Sequence, residues 1–243
     1  MLLGRTLTLL AAFPCRHAPP RANLFGDFFD DNLKEQTPPK RALLPSLVLQ
    51  NPTTYTLKEK MFSFSGEDFM VRDVAGNTIL QIEGANINLG GMVIDKLGFK
   101  DGAGVKFCSV ERRILAASTC YDIYSPDGEC IAKVEREWLS MTPAYKFYYE
   151  GDANPFADFE ASGSFADRTY TFKEGMSTIA RVRRAQEVVN DVDEYVVEVG
   201  PKVDAAAILA MTVIIDEDHD EEDAKRQREG KETEGGGGGW PFG

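Results

Sequence analysis

Between Tyr55 and Val199 apolar and polar residues alternate in short runs rich in β-branched and aromatic side chains, each run cut by turn residues. Phe69-Met-Val-Arg-Asp-Val74 stops at Ala75-Gly76-Asn77, Thr78-Ile-Leu-Gln-Ile82 follows, and Cys120-Tyr-Asp-Ile-Tyr124 stops at Pro126-Asp127-Gly128. Proline presets φ for the first central turn position and glycine tolerates a positive φ, so these stretches read as hairpins. Ile131-Ala-Lys-Val-Glu-Arg136 is echoed by Ile179-Ala-Arg-Val-Arg-Arg184, and Tyr145-Lys-Phe147 by Tyr195-Val-Val197. In both echoes Ala132 and Val134, like Ala180 and Val182, share one face, while Lys133 and Glu135, like Arg181 and Arg183, share the other. One side buried and one side wet predicts a closed antiparallel barrel.

The pattern changes after Pro201. Asp204 suits a helix N-cap, and Ala205 to Ile215 carry no charge on any face, so the spacing predicts a helix over 204–215 enclosed by protein on all sides. Such a rod is roughly 16 Å long, too short for a bilayer and about right to thread a barrel. A weak membrane anchor is the competing reading, and its acidic flanks, Asp204 and Asp216 to Asp223, argue against it. Before the strands, 1–22 is Arg-containing and free of acid, and reads either as a cleaved targeting segment or as an N-terminus with no address. Residues 23–52 read as a Pro-rich linker, with Phe25, Phe28 and Phe29 as a spacer or a short docking peptide, and 218–243 as an acidic, then Gly-rich, disordered tail. The barrel itself is expected over 53–217.

Composition narrows the function. A formal net charge of -12 repels a phosphate backbone, so no nucleic-acid partner is expected. Cys15, Cys108, Cys120 and Cys130 have neither C-x-x-C spacing nor a histidine pair nearby, so no zinc or redox centre is expected. His17 and His219 are the whole histidine inventory, which leaves little for acid/base chemistry. The run Asp216-Glu-Asp-His-Asp-Glu-Glu-Asp223 lacks the calcium-loop glycine, Gly98 to Lys106 fits no phosphate-loop motif, and no G-x-S-x-G occurs. Glu135 and Glu137 can share a strand face, but nothing completes a catalytic site around them. The expectation is a non-enzymatic protein with no metal and no cofactor. It is expected to be monomeric, without a transmembrane span, and intracellular, in the cytoplasm or, if the N-terminus is a transit segment, in a plastid or mitochondrion.

The order of elements resembles the LURP-one-related family. The resemblance is carried by Val71-Arg-Asp-Val-Ala-Gly-Asn77, Tyr124-Ser-Pro-Asp-Gly128, Trp138-Leu-Ser140, Asp167-Arg-Thr-Tyr-Thr-Phe172 and, most specifically, the Val203 to Glu217 helix ending in Asp-Glu. It implies a mainly β, tubby C-terminal-like fold: a twelve-stranded antiparallel barrel around a central hydrophobic C-terminal helix, shared with phospholipid scramblases. Tubby domains bind phosphoinositide headgroups through basic residues on the barrel wall, scramblases are associated with membranes and calcium, and plant LURP-one-related members are linked to pathogen defence. The chain departs from the family in its acidic core, a longer glycine-rich stretch from Asn86 to Gly104, and its acidic and glycine-rich tail.

An anionic headgroup needs several converging cations, and arginine offers a planar fork of donors. The repeat places Lys133, Arg136, Lys146, Arg181, Arg183 and Arg184 on corresponding strands, which makes them the candidate ligand-binding set; the alternative is an ordinary solvated wall pairing with Glu135, Glu137 and Glu187. The expected function is a binding or adaptor module engaging phosphoinositides or membrane surfaces. A scramblase-like lipid-handling protein, or a module with a protein partner only, are the alternatives.

Overall fold

The computed structural model describes residues 33–38, 41–59, 68–89, 92–113, 119–137, 144–153, 155–165, 167–185 and 194–235. The targeting segment expected over 1–22, the Phe25 to Phe29 stretch, the Trp138 motif and the glycine-rich end with Trp240 lie outside those residues. Twelve strands run in chain order: β1 (Thr53–Glu59), β2 (Phe69–Asp73), β3 (Thr78–Leu89), β4 (Met92–Asp101), β5 (Lys106–Arg112), β6 (Cys120–Tyr124), β7 (Cys130–Glu137), β8 (Ala144–Tyr149), β9 (Phe159–Ser164), β10 (Thr169–Glu174), β11 (Ser177–Arg184) and β12 (Glu194–Val199). Each pairs antiparallel with the next, and β12 closes on β1 with Tyr55 opposite Val197. The expected closed twelve-stranded barrel is the fold observed.

Three hairpins at one end of the barrel are built from the same local chemistry. In the turns after Asp73, Asp101 and Ser125, the amides of Gly76, Gly104 and Gly128 donate to the carbonyl three residues back at 3.0, 2.9 and 3.0 Å. These glycines sit at φ of 85°, 82° and 83°, where a side chain would be strained. The Asp73 carboxylate accepts from Ala75 and Asn77, and Asp101 from Ala103 and Val105, at 2.8 to 2.9 Å. Each hairpin then carries a ladder irregularity at the same place, after Val71, Phe99 and Ile123. Such bulges bend and twist strands, as closure of a barrel requires.

Inside, Leu57, Ile82, Phe99, Ile123, Val134, Phe147, Phe172 and Val197 are fully buried, and they surround a helix whose residues Ala205 to Ile215 are buried on every face. Tyr55, Tyr145 and Tyr195 are the largest of the fully buried side chains. The helix, α1 (Ala205–Gly235), continues past Ile215, where the sequence predicts its end. At about 1.5 Å per residue it is roughly 46 Å long, so it passes out of the far mouth of the barrel. The physical reason lies in the acids: Asp216 and Asp218, expected in or beside a solvated tail, are buried and ion-paired to arginines of the wall.

The linker also differs from expectation, because structure begins before Tyr55. Leu33, Gln36 and Leu43 are buried. The Leu43 amide donates to Asp204 Oδ2 at 2.8 Å, Asp204 N donates to Gln36 Oε1 at 3.0 Å, and Val48 bridges to Asp204. A helix start buried in a barrel must find partners within the protein, and this strap together with Asp204 provides them.

Candidate functional site

The six cations singled out in the sequence do not form one surface. Lys133 on β7 lies on the outer wall, 3.0 Å from Asp152 and 3.7 Å from Glu135, with its ammonium 4.6 Å from the Tyr148 ring centroid. Lys146 on β8 is also outside and paired to Glu137 at 3.0 Å. Both wall lysines are therefore held by carboxylates, and Glu135 and Glu137 are their partners. Arg136 departs from the expected outer cluster, because it shares strand parity with Ala132 and Val134 and points into the barrel, only 5% exposed. Arg181 and Arg183 stand on the outer face of β11, whereas Arg184 alternates to the other side and is exposed at the strand end, opposite Tyr195.

Arg136 belongs to a polar cluster in the far mouth of the barrel. It donates to Asp218 Oδ2 at 2.7 Å and to Glu222, and its guanidinium lies 5.6 Å from the Tyr145 ring. Tyr145 and Tyr121 donate to the same Asp218 at 2.7 and 3.2 Å. Arg168 does the parallel work one helical step away, meeting Asp220 at 2.7 Å and Asp216 at 3.1 Å, while Tyr195 donates to Asp216. Asp216 with Asp220, and Asp218 with Glu222, are i, i+4 pairs on α1, so each arginine grips two successive turns of one helix face. Burial pushes the Tyr145 hydroxyl far up in pKa, with Asp218 adding to the shift. His219 lies against Phe165, ring centroids 5.8 Å apart, and burial together with Arg168 and Arg136 holds its pKa below the usual value. The cluster anchors the helix.

What the register does assemble is a groove on the outer wall across β9 to β12, of about 310 Å³, lined by Ser162, Gly163, Thr169, Thr171, Arg181, Arg183 and Glu198 together with Tyr170 and Val182. Ser162 is opposite Thr171, Thr171 opposite Arg181, and Arg181 opposite Glu198, a row across four strands. Gly163 has φ of 150° and sits so close to β10 that a Cβ would lie 2.7 Å from the Thr169 carbonyl oxygen and from Tyr170 Cα. Two guanidiniums, three hydroxyls and one carboxylate leave the groove with one net positive charge in an acidic protein. Most of the surface lining it is apolar, and the polar side chains stand among aliphatic stems. Among the described thiols, burial raises Cys120 to about 11 and raises Cys108 and Cys130 as well. Ser162, Thr169, Thr171 and Glu198 carry no signal in the sequence, because only cross-strand register brings them beside the arginines. Among the described residues no group of His, Cys, Asp and Glu has the arrangement of a metal site, and no helix is long and apolar enough to cross a membrane.

A closed twelve-stranded barrel threaded by its C-terminal helix defines the architectural class. Residues 53–216 match the LURP-one-related family model, and the chain belongs to that family. It is similar to protein LURP-one-related 15 of Arabidopsis thaliana, 23% identical over 184 residues that cover 71% of this chain and 83% of the relative. The crystal structure of an Arabidopsis thaliana protein superposes with a TM-score of 0.54 at 19% identity, covering 74% of this chain and 98% of that one, a likeness of fold.

Proposed function

We propose that this protein is a non-catalytic binding module whose outer-wall groove takes the anionic headgroup of a phosphoinositide at a membrane surface. The observation that carries the reading is that Arg181 and Arg183 share the outer face of β11 and line one groove with Ser162, Thr169 and Thr171. Guanidinium forks and hydroxyls are the donor set that a phosphate monoester accepts from, and charge-assisted bonds to such a group each contribute about 1.5–3 kcal/mol. Lys133 and Lys146 sit outside the groove, and Arg136 and Arg184 are not part of it, so this reading rests on Arg181 and Arg183 rather than on all six cations.

The test is sedimentation of the full chain with phosphatidylcholine vesicles with and without phosphoinositide, at low and high salt. Binding that requires phosphoinositide, weakens with salt and drops by roughly 10- to 100-fold in the Arg181→Ala/Arg183→Ala variant is the expected result. Lys146→Ala binds as the unaltered chain does. Indifference to phosphoinositide sinks the lipid reading and leaves an adaptor for a protein partner.

A further inference from the structure

The strap ahead of β1 carries chemistry that neither the barrel nor the groove uses. Serine or threonine stands directly before proline at three places, Thr37-Pro38, Ser125-Pro126 and Thr142-Pro143. Ser125 is buried and its Oγ accepts from the Glu129 amide at 3.2 Å, and Thr142 lies outside the described residues. Thr37 and Pro38 are both exposed, in a segment that is neither helix nor strand. In sequence Pro39, Lys40 and Arg41 follow them, whereas Asp127 and Glu129 follow Ser125. Access and charge both single out Thr37.

We propose that Thr37 is a phosphorylation site for a proline-directed Ser/Thr kinase that also favours a basic residue three places on, and that the phosphate releases the strap from the mouth of the barrel. Proline has no amide hydrogen and keeps the residue before it extended, so a kinase cleft that offers no partner to an N–H there selects Thr-Pro. Lys40 in turn suits an acidic patch beside such a cleft. Thr37 Oγ1 attacks the γ-phosphorus of ATP and forms the new O–P bond. The bond from that phosphorus to the β,γ-bridging oxygen breaks, ADP leaves, and the hydroxyl proton passes to a carboxylate base of the kinase.

The consequence follows from what surrounds Thr37. Its amide donates to Glu174 Oε2 at 2.8 Å, at the end of β10. A threonine hydroxyl lies within about 4 Å of its own amide nitrogen, so the added group comes within roughly 7 Å of that carboxylate. It carries about two negative charges at neutral pH, and the separation is shorter than a Debye length of about 8 Å, so the two repel. The nearby cations are already engaged, Lys202 by Glu35 and Arg41 by Glu129, each at 2.7 Å.

On either side of Thr37 the strap is clamped to the barrel. Gln36 is buried with its Oε1 on the Asp204 amide, and the Leu43 amide donates to Asp204 Oδ2. The Lys34 amide donates to the Thr178 carbonyl at 2.8 Å, and a Cβ on Gly200 would lie 2.5 Å from the Lys34 carbonyl oxygen. A kinase therefore takes Thr37 when the strap lifts, and repulsion from Glu174 opposes its return, so the phosphate captures the open state. The site does not depend on what the groove binds.

Incubation of the full chain with a purified cyclin-dependent kinase and ATP tests the proposal. A phosphate on Thr37, located by tandem mass spectrometry, is expected. Hydrogen exchange across residues 33–48 and at the Asp204 amide is expected to quicken at least about fivefold in the phosphorylated chain. Thr37→Ala exchanges as the unaltered chain does, with or without kinase. Glu174→Gln keeps an acceptor for the Thr37 amide and removes the like charge, so phosphorylation there is expected to quicken exchange by less than about half as much. No phosphate on Thr37 overturns the site, and a phosphate that leaves exchange unchanged, or that acts equally in Glu174→Gln, overturns the release.

Discussion

His219 is the side chain through which solution pH reaches the helix anchor. From the wall Arg168, Arg136 and the Phe165 ring face it, and from α1 the carboxylates of Asp218 and Glu222. Burial and the two guanidiniums outweigh the two acids, so the native imidazole holds its proton less tightly than the ordinary value of 6.5. The unfolded chain therefore binds more protons as the solution is acidified. The stability that neutral His219 contributes is fully present above 6.5 and is lost as pH falls through that value toward the lowered native one. Urea unfolding between about pH 7 and about pH 5 is expected to show a falling midpoint, and His219→Gln to flatten most of that slope. An unchanged slope in the variant would place the pH sensitivity elsewhere. Asp204 has the opposite sign: burial, the largest influence, raises its pKa against the bonds it accepts from Leu43, Tyr149 and Ala207, so any contribution it makes is greatest in acid and fades as pH rises.

At the scale of elements, the strands and hairpins were legible because their signals are local. Asp73-x-x-Gly76 and Asp101-x-x-Gly104 write a turn within five residues, and alternation assigns Ala132 and Val134 to the core without knowledge of their partners. The helix interior was legible for the same reason. Its continuation was not, because Asp216 to Asp223 reads as solvated charge unless Arg136 and Arg168 are known to reach it from strands distant in sequence. The i, i+4 spacing of Asp216 with Asp220 and Asp218 with Glu222 was the available hint. The candidate groove was half legible: the repeat singled out Arg181 and Arg183, but also Arg136, whose parity with Val134 puts it inside. A chain ended after Ile215 leaves both arginines buried without their acids, and removing one partner of a buried pair costs about 3–5 kcal/mol. Its thermal midpoint is expected to fall steeply, while a chain ended after Glu229 melts close to the full chain. Equal melting of the two would show that the arginine clamps do not hold the helix.

For the whole molecule, the proposed groove contact is electrostatic. Its occupancy is expected to respond to salt and headgroup charge. An acidic barrel that met an anionic ligand at a small positive groove would gain selectivity, since its net charge repels the same ligand elsewhere. The central claim is that the groove recognises the headgroup itself, without help from the bilayer. Isothermal titration of the full chain with soluble inositol trisphosphate at low ionic strength tests this most directly. Saturable heat at a single site, absent from Arg181→Ala/Arg183→Ala, is the result expected; no heat, or heat undiminished in the variant, would contradict the account.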